Sequence, residues 1–417
     1  MTEKKDEPNP PSRPTLDPGI AMDALKNRAL RWFIAGRLFG APTGPMRAVV
    51  RGWLVYDLTG SALMLGWVSA AGAAATIILA PLGGLVADRF DKRYVMLFAR
   101  IALILDSAIM ATLIFTGLLR PWHIAAVAVL ESSALAFMGP AQRTVVSELV
   151  DRKSLFSALS VTAVFEGLMG IVGAYASGFI TETVSPGGVY VIMSIFFAVV
   201  GYTLNKLPPS NTDNAPRGSV HADLLDGLRY VKASPVILLM LIIMFSRFLF
   251  TQPYREFRPA YVDNTLGLGA SGLGLLTSAS SVGALASALI GASLGNTRYK
   301  GYLLLGAGVV VGISLILFVQ MPILPLPFII VAFESGFSRL SDVLSNSLIQ
   351  LNCRVEYRAR VDSLRSLLLS TSRLVVVPMG ALVDAVGLIP VITVLGILVI
   401  IAHVSAGILH PPLRTLR

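Results

Sequence analysis

Twelve apolar stretches, each about as long as a bilayer is thick, run along most of this chain with only short polar links between them. A helix crosses the hydrocarbon core in roughly 20 residues. The stretches fall at about 31–57, 62–87, 94–117, 121–142, 156–181, 187–206, 235–262, 270–294, 300–320, 322–349, 361–385 and 388–410. In lipid no water completes the backbone hydrogen bonds, so a spanning segment is a helix or part of a closed barrel. Barrel strands would read as short alternating dyads, and these stretches do not alternate. The expected fold is therefore an all-α membrane protein of twelve transmembrane helices. With 54% hydrophobic and 14% charged residues, the chain is too apolar for a soluble protein of 417 residues.

The formal charge of +10 raises the possibility of nucleic-acid binding, but its placement argues otherwise. Lys and Arg gather in alternate links: Arg89, Lys92 and Arg93; Arg152 and Lys153; Arg217, Arg229 and Lys232; Arg298 and Lys300; Arg354, Arg358 and Arg360. The intervening links carry Arg120 and little else. Cytoplasmic loops concentrate such residues, so both termini are expected in the cytoplasm, with the lipid bilayer rather than nucleic acid as partner.

Residues 1–27 are polar and proline-bearing without an apolar signal core, and read as a disordered cytoplasmic tail. Between 207 and 234 the apolar pattern stops, and Asp223 to Val231 reads as a short amphipathic helix at the membrane surface. That linker divides the chain into bundles of six spans at 28–206 and 235–410, with a tail at 411–417. Sliding one half over the other by about 208 residues brings Tyr56-Asp57-Leu58-Thr59-Gly60 near Tyr261-Val262-Asp263-Asn264-Thr265, and Arg37 near Arg247. Such a weak internal repeat marks transporters built from parallel halves.

Between the second and third spans lies Gly84-Leu85-Val86-Ala87-Asp88-Arg89-Phe90-Asp91-Lys92-Arg93. A glycine allows close helix approach, an aspartate accepts from helix N-terminal amides or an arginine, and the basic residues hold the turn at headgroup level. The segment resembles the loop signature of the major facilitator superfamily, G-x-L-A-D-R-x-G-R-K. Gly84, Asp88, Arg89, Lys92 and Arg93 are in register, and Asp91 replaces the second glycine. Gly139-Pro140-Ala141-Gln142, Glu148-Leu149-Val150 and Asn346-Ser347-Leu348-Ile349-Gln350 are similar to helix junctions of its drug/proton antiporter branch, which includes siderophore and macrolide exporters. The resemblance covers about residues 28–410. It implies two pseudo-symmetric six-helix bundles, alternating access, a conformational switch at the Gly84–Arg93 loop, and residence in a bacterial-type inner membrane. Gly170, Gly173 and Gly178 are similar to that branch's antiporter motif, from which Ala174 and Ser177 depart; close packing by small residues explains them equally well.

A charge at a helix centre costs about 2.5–3.5 kcal/mol on insertion scales, so each needs a partner or an aqueous cavity. In the first span Arg47 and Arg51 share a helical face with Arg37 about 40° away, and in the seventh Arg247 and Arg258 lie about 20° apart with Tyr254 between them. These six are the expected substrate-cavity residues, either recognising an anionic solute or closing a gate through ion pairs. Pairing with Glu256, Glu131 or Asp106 is the alternative. Embedded acids are candidates for proton coupling: Glu334 first, being near mid-depth of the tenth span, then Glu131, Glu166 and Asp106. Asp342, three residues from Arg339, is expected to pair with it.

Enzyme chemistry is not expected. The four histidines have no metal-ligand spacing, no Walker loop is present, and no nucleophile motif appears, so neither metal nor cofactor is implied. The lone Cys353 forms no intrachain disulfide. The sequence points to a monomeric secondary transporter coupling protons to efflux of a small molecule, drug-like or an anionic metabolite such as a siderophore. An uptake permease, a lysolipid flippase and a non-transporting sensor or assembly protein are the alternatives.

Overall fold

A computed structural model describes residues 28–149, 152–208, 220–293 and 299–410. The tails and the centre of the linker lie outside these residues. The described chain is helical: α1 (Arg28–Gly40), α2 (Thr43–Thr59), α3 (Ala62–Arg89), α4 (Lys92–Phe115), α5 (Pro121–Leu149), α6 (Arg152–Thr183), α7 (Pro186–Leu204), α8 (Val220–Ala233), α9 (Pro235–Glu256), α10 (Arg258–Asn264), α11 (Ala270–Ser293), α12 (Lys300–Gln320), α13 (Leu326–Asn352), α14 (Arg358–Thr371), α15 (Val376–Val386) and α16 (Leu388–Leu409).

Ten segments are long and apolar enough to cross a membrane by length and composition. The two other expected spans are the first, broken between α1 and α2, and α13, whose Glu334, Arg339 and Asp342 dilute its apolarity. The first span is thus two helices where the sequence suggested one. Pro42 cannot donate the backbone hydrogen bond that a continuous helix needs there. The seventh span breaks likewise at Phe257, between Pro253 inside α9 and Pro259 in the first turn of α10. Links are tight because the ends are capped locally: Ser61 accepts from Met64 N at 3.3 Å, Ser185 from Gly187 N at 3.1 Å, and Asp91 from Arg93 N at 2.9 Å.

Packing repeats along the chain. In the first half α3 lies on α5, α4 on α5 and α7, and α2 on α6; in the second, α11 lies on α13, and α12 on α13 and α16. The closest approach repeats too. A Cβ on Gly83 would sit 2.9 Å from the Ala136 carbonyl carbon, and one on Gly283 would sit 2.6 Å from that of Ala332. Where lipid offers no hydrophobic drive between helices, such backbone contact supplies the packing energy. Phe98, Ile101, Leu105 and Ile109 of α4 stay exposed on one helical stripe, as a lipid-facing surface requires. The helix α8 docks on the start of α14 and the turn before it, where Tyr230 stacks on Tyr357 at 4.1 Å and Asp226 pairs with Arg360.

Candidate functional site

Two arginine–carboxylate clusters stand at equivalent places in the two halves. On α2, Arg47 and Arg51 are one helical turn apart and both reach Glu131 of α5, at 2.7 Å and 3.0 Å. On α9 and α10, Arg255 and Arg258 flank the break at Phe257 and both reach Glu334 of α13, at 3.3 Å and 3.4 Å. Glu334 is 0% exposed and also accepts from Ser338 Oγ at 2.8 Å and Ser335 Oγ at 3.1 Å. The Arg258 guanidinium lies 4.8 Å over the Tyr254 ring. The clusters approach each other where the halves meet, since a Cβ on Gly52 would stand 3.1 Å from Pro259 Cγ.

Two further pairs complete the pattern: Arg37 of α1 with Glu166 of α6, and the fully buried Arg247 of α9 with Asp342 of α13. Asp342 therefore bonds across helices rather than to Arg339 on its own helix as expected. Arg247 is 1% exposed, and a buried guanidinium requires a counter-charge.

A cavity of about 330 Å³ lies inside the first half, between α1, α2, α4, α5, α6 and α7. Arg37 and Arg47 line it together with Glu166 and a residue not anticipated, Arg100 of α4. Arg51, Arg247, Tyr254 and Arg258 are not in its wall; these three arginines meet Glu131, Asp342 and Glu334. Arg255 was not among the expected residues, and Glu256, expected as a partner for the cavity arginines, accepts from Gln252 Nε2 at 3.0 Å. Asp106 differs from the other acids. It is 1% exposed, both its oxygens lack a hydrogen-bond partner among the described residues, and it lies within electrostatic reach of Glu131, Arg47 and Arg51.

The charged hinge is partly described. Arg93 donates from Nη1 to Leu207 O at 3.0 Å and from Nη2 to Asn205 O at 2.7 Å, tying the start of α4 to the end of α7. Lys92 is buried and Arg89 exposed. No described atom comes within 4 Å of a Cβ built on Gly84, so the close approach expected there belongs to Gly83. The side chain of Asp88 lies outside what is described.

At the opposite end of the bundle from residues 28 and 410, carboxylates join the halves in a matched way. Asp384, at the end of α15, accepts from Ala62 N at 2.8 Å, Leu63 N at 3.1 Å and Ser61 Oγ at 2.6 Å, capping α3 of the other half. Glu182, at the end of α6, accepts from Ser271 N at 2.7 Å and Ser271 Oγ at 2.5 Å, capping α11. Carboxylates complement the positive N-terminal end of a helix. Beneath them the backbones touch: a Cβ on Gly178 would lie 2.7 Å from Gly274 Cα, and one on Gly66 would lie 3.0 Å from Val377 Cα. Gly173 instead packs on Pro42 and Gly170 on Pro45, within the first half. Asn264 Nδ2 donates to Tyr56 Oη at 2.5 Å, so the two repeated segments meet here.

Comparison with known proteins agrees with this architecture. The profile of the family described as transmembrane secretion effector matches residues 20–354. The enterobactin exporter EntS of Shigella boydii serotype 4 is 25% identical over 323 residues, covering 75% of this chain and 72% of that protein. EntS of Escherichia coli O1:K1 is 25% identical over 319 residues, covering 75% and 71%. Among solved structures, a mutant of the nucleoside transporter NupG superposes with a TM-score of 0.73 at 12% identity, covering 92% of this chain and 99% of that one. A bacterial homolog of the human lysosomal transporter Spinster, in an inward-facing and unoccupied conformation, gives 0.67 at 13% identity, covering 95% and 99%. At such identities the structural matches speak to fold alone.

Proposed function

The chain belongs to the transmembrane secretion effector family of major facilitator transporters, and on that premise we propose that it couples protons to the export of a small organic anion. The observation that carries the reading is the matched pair of clusters, Arg47–Glu131–Arg51 and Arg255–Glu334–Arg258, one in each half beside the contact between them. Each holds two guanidiniums on one carboxylate. A cargo carboxylate can take up a guanidinium that its own acid releases, and the arginine fork suits such an exchange. Export as the direction is taken from the enterobactin exporters, which share a quarter of their residues with this chain over the matched region.

Residues 28–206 and 235–410 are the two moving bodies, joined by the 207–234 linker, in a monomer with both termini in the cytoplasm of a bacterial-type cell. The carboxylate caps of Asp384 and Glu182 hold the outer end shut and part when it opens. The Gly84–Arg93 loop serves the same purpose at the inner end.

Glu334, Glu131 and Glu166 each face a guanidinium and act as its counter-charge, whereas Asp106 has no donor among the described residues. A buried carboxylate without a partner is costly, and a proton compensates it. Asp106 therefore carries the proton, releasing it when Arg47 and Arg51 swing from Glu131 towards it.

The test compares the small-molecule content of cells with and without the protein. Cells lacking it should retain a defined organic anion, restored to normal by the wild-type chain and not by Asp106→Asn. Identical contents in both cells would remove the export reading, and full restoration by Asp106→Asn would remove the proton's assigned seat.

A further inference from the structure

We propose that the cavity inside the first half is a binding site for a flat organic carboxylate, with Arg100 as the residue that meets its charge. Three arginines point to it. Arg37 has Glu166, and Arg47 has Glu131 at 2.7 Å. Among the described residues Arg100 has no carboxylate, although it is only 9% exposed and its Nε is buried without a hydrogen-bond partner. Leaving a guanidinium buried and unanswered is strongly unfavourable. A ligand that brings the missing charge removes that penalty.

The walls indicate the rest of the ligand. The Arg100 guanidinium lies 5.5 Å over the Phe197 ring and that of Arg37 lies 5.9 Å over Phe33, and Met96 and Met138 also line the cavity. Aromatic faces beside cations, with adaptable thioethers around them, accept a planar apolar body joined to an anion. The volume of about 330 Å³ stands near the lower limit for small-molecule pockets, which favours a ring-sized body over an acyl chain. Nearness of the cavity to the end bearing the chain termini, through Gln142 of α5 and Leu204 of α7, makes it a loading site on the side from which cargo would be exported. This last point rests on the transport reading above; the binding chemistry does not.

Benzoate and its neutral counterpart benzamide are the probes, titrated by calorimetry into the full-length protein in phosphatidylcholine nanodiscs. Benzoate should bind and raise the melting temperature while benzamide does neither. Arg100→Met should bind benzoate roughly 10- to 100-fold more weakly, the loss expected for a charged hydrogen-bonding partner. Because it removes an unanswered buried charge, the same variant should melt higher than the parent when no ligand is present. Gly44→Leu, which fills the cavity and leaves Arg100 in place, should lose benzoate binding without that gain. Unchanged benzoate affinity in Arg100→Met, or equal binding of benzamide, overturns the site. So does protection by added phosphatidylglycerol in place of benzoate, which would make the occupant a lipid headgroup. Transport failure in cells leaves these binding results untouched, so the two readings fail separately.

Discussion

Asp384→Ala is the perturbation that most sharply probes how the halves are held together. Its carboxylate accepts two backbone amides at the N-terminus of α3 and the Ser61 hydroxyl, all from the opposite half. An N-cap acceptor is worth about 1 kcal/mol, and a carboxylate at a helix N-terminus adds about 0.3–1 kcal/mol. Asp384 is exposed, so solvent screening keeps the sum near 1–2 kcal/mol. Since these contacts exist only when this end is shut, the whole loss falls on the closed state, multiplying the open-to-closed ratio roughly 5- to 30-fold. Spin labels at Leu58 and Val386, exposed ends of α2 and α15, report the separation by pulsed electron resonance. Native Cys353 is buried and does not compete for label. Asp384→Asn keeps one acceptor and should show a smaller shift. Glu182→Gln, at the equivalent cap on α11, should add to Asp384→Ala because the sites share no partner. A distance distribution for Asp384→Ala that matches the parent would refute the cap as a clamp.

Other outcomes follow from the same packing. Glu334→Gln leaves Arg255 and Arg258 buried around a neutral group and should cost about 3–5 kcal/mol, seen as earlier thermal unfolding in detergent; an unchanged melt would show that the cluster is not a counter-charge system. Asp342→Leu strands Arg247 and should destabilise strongly, while adding Arg247→Leu should recover most of the loss, which paired melting curves check. Gly283→Leu forces a side chain into the backbone of Ala332 and should cut the yield of folded protein, whereas Gly84→Leu, with no described atom near its Cβ, should be tolerated in a folding assay.

Much of the fold was legible because hydrocarbon makes one demand, a long apolar run, and the helices begin and end within a few residues of those runs. What the sequence concealed was broken geometry. Proline at 42 and 259 sits in stretches whose apolarity continues across the break, so each first reads as one helix. The break at Phe257 is what turns Arg255 inward beside Arg258 onto Glu334, a pairing that ideal helical angles did not reveal. Arg100 lies close to the basic start of the third span, and only packing against α1 and α7 buries it. Asp384 and Glu182 stand at span ends, where an acid is ordinarily solvated, and their role depends on a neighbour more than 80 residues away in each case. The embedded acids, by contrast, were visible at once, since each violates the apolar pattern around it.

The most direct test of the central claim uses purified protein in vesicles that trap a pH-sensitive dye, with a pH gradient imposed and the anion retained by deficient cells supplied on the loading side. The account predicts that the anion accumulates against its gradient only while the pH gradient lasts, that the dye reports proton movement which requires the anion, and that Asp106→Asn stops both. Accumulation that is indifferent to the pH gradient, or proton movement unaltered by removing the anion, would contradict it.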